Sequence, residues 1–476
     1  MKKGLVVVLA LLIIAFTALP LFALDVQFSG DYRVRYFYFD SIYATQPAPV
    51  PPGQPNAVQK SDFFDQRFRL TSKITAGMAT GVVQLDFLNT NPNGTSNLGN
   101  REYGQTTGGT PGSGFGGEFN NIGVREAYLV VNFPVGKLYT GRKEEVVAHG
   151  LSLKDTVDNI GSVGLRFPEA NIPSLKVCLF KLAEFDSFTT GHTNNLDLNV
   201  LATNVEWTPT PDFLINYINM YALPQRVVGA PHNFWLMVNI LSSDGKMQLP
   251  GGEGAVRYAF EWDNYTGTNP AGLGIIGNTV YADLATDVNI ASAGTVSFGI
   301  AYLRSQGASP GNPGKVSNNS LRGDFKFGNI LFADSTNNYD GVDLNTQFAE
   351  GNVGCNPNLV AGCSAQNATL NNNIHAIKVY AGLQPTNKLD LGVAVFPYVW
   401  AVNKAPAGVA CQPGGTACGR RVGTEFDVNG GYKFDENLKL TAGYGFFAPG
   451  DAFSDPSVGQ RAKNVNEVNV ALTYTF

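Results

Sequence analysis

Long apolar runs are absent from this sequence beyond its first two dozen residues. No window after residue 24 approaches the ~18 apolar residues that a membrane-spanning helix requires. Charge is scarce as well: Asp, Glu, Lys and Arg make up 15% of the chain, against about a quarter in soluble domains. The basic residues are dispersed, which excludes an electrostatic footprint for nucleic acid. His149, His192, His232 and His375 stand apart, with no metal-ligand spacing. There is no C-x-x-C-H, so no covalent haem. Gly112-Ser-Gly-Phe-Gly-Gly117 fits G-x-G-x-x-G but lies in a Gly/Thr loop with no helix after it. Asp334, Asp340 and Asp343 lack the calcium-loop pattern. His375 has Asn373 and Ile377 on its own face and no serine partner. No catalytic constellation results, and the chain is expected to be neither an enzyme nor the holder of a metal or cofactor.

What is present is polarity without charge. The chain is rich in Asn, Thr and Ser, carries 54 glycines, and has a mean hydropathy of −0.05. Such neutrality suits a wall with one wet face and one oily face. The start reads Met-Lys-Lys-Gly, then an apolar run from Leu5 to Leu19, then Pro20-Leu-Phe-Ala23. That is a signal peptide over 1–23, most simply cut after Ala23, with an uncleaved anchor as the alternative. Losing Lys2 and Lys3 lowers the formal charge from −5 to −7. Five cysteines follow: Cys355 with Cys363 and Cys411 with Cys418 bracket short loops and read as disulfides of an exported protein, zinc being the alternative. Cys178 falls in a strand pattern and reads as a small buried residue.

The mature chain, 24–476, alternates. In its first segment Val26, Phe28, Tyr32, Val34, Tyr36 and Tyr38 fall on one face, and Gln27, Ser29, Asp31, Arg33 and Arg35 on the other. A period of two over more than ten residues is the length of a tilted membrane-crossing strand. Eighteen such segments are predicted: 26–39, 62–75, 80–90, 123–133, 135–143, 160–167, 174–183, 195–208, 212–222, 232–241, 254–265, 277–287, 294–304, 374–384, 388–400, 421–434, 437–447 and 464–476. Their connections alternate between tight turns and long Pro-, Gly- and Asn-rich loops, the longest being 305–373. The expected fold is therefore all-β: a transmembrane antiparallel barrel of about 18 strands in the bacterial outer membrane, touching its lipid. Pro397 inside one strand should lie near a rim. The last strand should close on the first, with Phe476 facing lipid, and a terminal phenylalanine there looks like the signal read by barrel-assembly machinery.

The inward row carries Arg33, Arg35, Arg67, Arg69, Lys73, Arg166, Arg257 and Lys378, with Asp86, Glu261, Asp263, Asp283, Glu425, Asp427 and Glu467. Arg125 and Glu126 are adjacent, and strict alternation lets only one point inward. Inward guanidiniums either line an anion path or pair with carboxylates into a stiffening network. Their concentration on the first two strands predicts a basic patch on one side of the lumen. The 305–373 loop folds either inward as a constriction or outward as a lid, and its Arg322-Gly-Asp324 is read as a chance tripeptide.

Val422-Gly-Thr-Glu-Phe-Asp-Val428, then Tyr432, Leu438, Leu440 and Gly443-Tyr-Gly-Phe-Phe-Ala-Pro-Gly-Asp451, resemble the end of the alginate-export family of porins. Gly123-Val-Arg-Glu-Ala-Tyr128 with Gly141-Arg142, and 277–283 after the 254–263 strand, are similar to it too. The resemblance implies an eighteen-stranded monomeric barrel with an arginine-rich conduit, some members exporting alginate. By that match Arg67, Arg125, Arg142, Glu425 and Asp427 are implied to be lumenal. The Pro-rich 41–58 loop and the paired loop cysteines depart from the family. The leading expectation is an outer-membrane porin passing hydrophilic, anionic or sugar solutes. The alternatives are a surface-binding or adhesin barrel, a sheath for a partner such as an electron carrier, and an enzyme. A monomer is favoured, a trimer being the other choice.

Overall fold

In the computed structural model the described residues are 25–40, 61–87, 122–134, 136–143, 148–149, 151, 160–166, 173–183, 198–225, 234–268, 272, 274–306, 315–317, 327–330, 374–401, 421–451 and 464–476. They form strands almost throughout. The first nine are β1 (Asp25–Phe39), β2 (Ser61–Ala76), β3 (Ala79–Phe87), β4 (Ile122–Phe133), β5 (Gly136–Lys143), β6 (Ile160–Arg166), β7 (Ser174–Ala183), β8 (Leu198–Thr210) and β9 (Phe213–Gln225). Then come β10 (Phe234–Gln248), β11 (Gly254–Thr268), β12 (Gly274–Ile290), β13 (Gly294–Ser305), β14 (Lys315–Ser317), β15 (Ile374–Gln384), β16 (Leu389–Ala401), β17 (Arg421–Lys433), β18 (Leu438–Pro449) and β19 (Val465–Thr475). Each wall strand pairs antiparallel with its neighbours in sequence, and β13 pairs directly with β15. The three-residue β14 lies outside that wall, parallel to the start of β12. Eighteen strands thus remain in the wall. It closes where β1 meets β19, from Asp31 opposite Thr475 to Phe39 opposite Glu467. Gly30 and Phe476 exchange two further backbone hydrogen bonds, of 2.9 and 3.1 Å. Closure leaves no sheet edge unpaired.

The period of two decides which side chains meet lipid. Phe28, Leu284, Phe298 and Ile300 stand exposed on the outer surface, while their sequence neighbours turn inward. An apolar exterior around a closed antiparallel wall is a membrane-spanning barrel, because every backbone group is satisfied within the sheet. Such barrels belong to the bacterial outer membrane, and that is where this chain sits.

Three expectations need correction in detail. β10 continues seven residues past the predicted end at 241, to Gln248. Its alternation fades at Ser243 and Gly245, yet Tyr258 of β11 lies over Gly245 and its hydroxyl is 2.9 Å from Ser243 Oγ, supplying the missing apolar cover. β8 likewise runs on to Thr210, moving its tight turn to residues 211–212. β14 carries no periodic signal at three residues and was not foreseen. Pro397 falls among register shifts on both sides of β16, where a missing N–H costs no ladder bond. At the tight β12–β13 turn, Gly294 adopts φ +85°, and a Cβ there would lie 2.1 Å from the Gln384 carbonyl.

Candidate functional site

The inward face of β1–β4 carries the basic patch. Arg67 donates to Asp31 from Nε (3.3 Å) and Nη2 (2.8 Å). Arg69 holds Asp86 with two bonds, of 2.6 and 3.0 Å. Arg33 stands opposite Arg67 in the register, and Arg35 opposite Asp65. The Arg35 guanidinium also lies 4.9 Å over the Phe37 ring. Lys73 is exposed to the lumen near the tight-turn end, opposite Val82. Both descriptions of these arginines thus have a footing. Arg67 and Arg69 pair with carboxylates, and the gathering of Arg33 and Arg35 beside them makes this side of the lumen basic.

Arg125 and Glu126 overturn the premise that adjacent residues cannot share a face. The β3–β4 register shifts between Gln84 and Leu85, which pair with Glu126 and Val124, so Arg125 is the extra residue of a bulge. Gln84 faces inward, donating to Thr71 (2.9 Å), and Glu126 stands opposite it. Arg125 reaches to 3.8 Å from the inward, buried Asp86. A one-residue insertion is invisible to a period-two reading.

Arg142 needs the opposite correction. It stands opposite Ala127, one residue along from the inward Glu126, which puts it on the exterior row. Its neighbour Lys143 turns inward instead, with Nζ 6.0 Å from the centre of the Tyr128 ring.

On β11, β17 and β19 the inward acids are not open to water. Glu261, Asp263, Glu425 and Glu467 are 0% exposed and Asp427 2%. They were expected to line a path, but loop segments cover Glu261, Glu425 and Asp427. Residues 327–330, from the longest loop, fold inward. The backbone N–H of Asn329 donates to Glu425 Oε1 (2.9 Å) and Asp427 Oδ2 (3.1 Å), and that of Ile330 to Glu425 Oε1 (2.8 Å). Asn329 Nδ2 donates to Asn429 Oδ1 (3.0 Å). Gly445, between Asp427 and Glu467 in the ladder, leaves the room: a Cβ there would lie 2.9 Å from Ile330 Cγ1. Lys378 donates to the Phe327 carbonyl (2.8 Å), its ammonium 5.4–5.6 Å from the centres of the Phe327, Tyr380 and Phe396 rings. From another loop, the His149 N–H donates to Glu261 Oε2 (2.6 Å). Leu151, Phe327 and Ile330 then pack with Leu303, Phe396 and Phe447 into an apolar cluster inside the barrel. The open question over 305–373 is thereby answered for this segment, which forms an inward strap.

The remaining candidates lie away from the strap. Arg257 pairs two-fold with Asp287 (2.6 and 2.9 Å) near the tight turns, and Asp283 accepts from Tyr281 and Tyr380. Arg166 pairs with Glu206 (3.1 Å) at a cavity of about 330 Å³, where Lys176, Asn204, Asn216 and Ser242 also converge. Sequence reading passed over those four; the one signal was their inward parity. Cys178 is buried against Gly164. Cys355, Cys363, Cys411, Cys418 and Arg322–Asp324 lie outside the described residues, as does the 1–23 leader. Among the described residues no group of three or more His, Cys, Asp or Glu could hold a metal ion.

No protein-family model matches the chain, and no curated protein matches it. Solved structures do. Pseudomonas aeruginosa OccK9 (OpdG) is 12% identical, with a TM-score of 0.52 over 95% of this chain and 98% of that one. A BenF-like porin from Pseudomonas fluorescens Pf-5 is 12% identical, at 0.50 over 95% and 98%. Pseudomonas aeruginosa OpdK, solved with vanillate, is 12% identical, at 0.50 over 94% and 98%. At such identities the likeness is one of fold: this chain has the barrel of outer-membrane porins.

Proposed function

We propose that the protein is a passive outer-membrane channel for hydrophilic solutes bearing carboxylates, narrowed by the 327–330 strap. The observation that carries this is the division of the lumen. Arg33, Arg35, Arg67, Arg69 and Arg125 gather on β1–β4, while the acids of β11 and β17 are withdrawn beneath loop segments. A solute passing along β1–β4 would meet the arginine-rich side of the lumen, and rings of arginine favour anions. Carboxylates suit the planar fork of a guanidinium. Alginate-like uronates, which the family resemblance implies, and aromatic acids like the vanillate of OpdK both belong to that class.

The test is reversal potential and unit conductance in planar bilayers under a salt gradient. The wild type is expected to prefer anions, and the Arg67→Ala, Arg69→Ala double variant to lose much of that preference. An inert wild type, or selectivity indifferent to the double change, would defeat the proposal.

A further inference from the structure

The outer surface of β8–β13 breaks the apolar rule along one row. Asn219 lies between Ile218 and Met220, both buried inward, so its own side chain points outward. The same parity holds for Asn239 between Val238 and Ile240, and for Asn264 between Asp263 and Tyr265. Asn278 precedes the inward, buried Thr279 and shares the parity. The register lines them up: Thr203 opposite Asn219, then Asn239, Asn264 and Asn278. Gln306 ends the row, its backbone N–H donating to the Asn278 carbonyl (3.0 Å). Six polar residues thus cross six adjacent strands, roughly 24 Å at the usual strand spacing.

Only the Gln306 end comes to a rim, since β13 stops at Ser305. Toward the tight turns runs Val205, Tyr217, Leu241, Trp262, Val280 and then Arg304, and toward the long loops Leu201, Tyr221, Met237, Thr266 and Ile276. Because strands tilt by about 35–45°, a row perpendicular to them climbs obliquely. Its Thr203–Asn219 end is therefore deepest in the apolar belt. Asn219 donates to Asn239 (2.8 Å), as does the Tyr217 hydroxyl (2.9 Å), and Asn278 donates to Gln306 (2.7 Å) while accepting from Arg304 Nη1 (3.1 Å). Asn264, in the middle, has no side-chain hydrogen bond among the described residues.

We infer that this face seats against a second copy of the same chain. Acyl tails offer no donor or acceptor, so amides facing them are left with a desolvation cost. A carboxamide carries both donor and acceptor, so a row of them is complementary to itself. The rows on either side, apolar from Leu201 to Met237 and from Val205 to Val280, supply packing area, and hydrogen bonds between polar side chains are a known glue between spans in lipid. Headgroup sugars are the competing occupant, but they do not reach the Asn219 end.

The test is thiol cross-linking in intact membranes. Asn264→Cys is expected to give a band at a multiple of the chain mass with a bifunctional maleimide. Val83→Cys, on the exterior of β3, and the wild type should give none. Separately, an Asn219→Leu, Asn239→Leu, Asn264→Leu variant should lose the oligomer in native mass measurements from mild detergent, while the folded band in unheated gels persists. A wild type of single-chain mass in mild detergent and nanodiscs, with no cross-link through position 264, would overturn the inference. So would a single-chain mass carrying stoichiometric lipopolysaccharide that the triple variant sheds. Neither readout depends on conductance, so the inference stands or falls apart from the channel reading.

Discussion

Undocking the 327–330 strap should widen the channel, and two unlike substitutions should do it. Gly445→Val puts a side chain where a Cβ alone would lie 2.9 and 3.0 Å from Ile330 Cγ1 and Cδ1 and 3.2 Å from Asn329 Cβ. Overpacking of this kind costs about 1–3 kcal/mol. Glu425→Gln adds no volume. It replaces the carboxyl that accepts from two backbone N–H groups, at 2.9 and 2.8 Å, by a weaker amide acceptor with an NH2 to place, at a loss of about 1 kcal/mol per bond. Either change therefore weakens docking by about 2 kcal/mol, or about 30-fold in the ratio of docked to undocked strap, since 1.36 kcal/mol is tenfold. The assay is single-channel recording, with folding checked by gel mobility before and after heating. Both variants are expected to show larger or longer-lived open levels than wild type. Valine itself occupies some lumen, so Glu425→Gln is the cleaner probe. If Glu425→Gln left the open levels unchanged in a fully folded barrel, the strap would not be the constriction.

Lys378→Met should act in the same direction but less, since it removes one bond to the Phe327 carbonyl while keeping an apolar stem against Phe396; the same recordings decide. Phe476→Ala should reduce the folded fraction recovered in the outer membrane, because the ring stacks on Phe68 (6.0 Å) and Tyr474 (6.1 Å) at the β1–β19 seam; gel mobility against total protein measures it. Alkylation of the denatured, unreduced protein is expected to label only Cys178, giving a mass one adduct heavier; four further adducts would refute the loop disulfides. N-terminal sequencing of the membrane form should begin at Leu24.

The wall was legible without coordinates because a strand facing lipid on one side and water on the other must alternate. The rows Val26–Tyr38 and Val468–Phe476 therefore announced a barrel and which strands would meet. The basic patch followed from the same parity at Arg33, Arg35, Arg67 and Arg69. Parity is local, however, and reports only a residue's own strand. It failed at Arg125, where an inserted residue resets the phase; Arg142, which the register puts outside, was misplaced by the family resemblance and not by parity. It could not show that Glu425 and Asp427, inward as expected, would be capped by the backbone of a segment about a hundred residues earlier. Nor could it align Asn219, Asn239, Asn264 and Asn278, each an unremarkable residue in its own strand. What the amino-acid order determined by itself was which side of the wall each stretch of residues would choose, because that depends on neighbours two positions away. What covers the inward acids, and which polar residues share a row, only the closed barrel decided, because those contacts join strands and loops far apart in the chain.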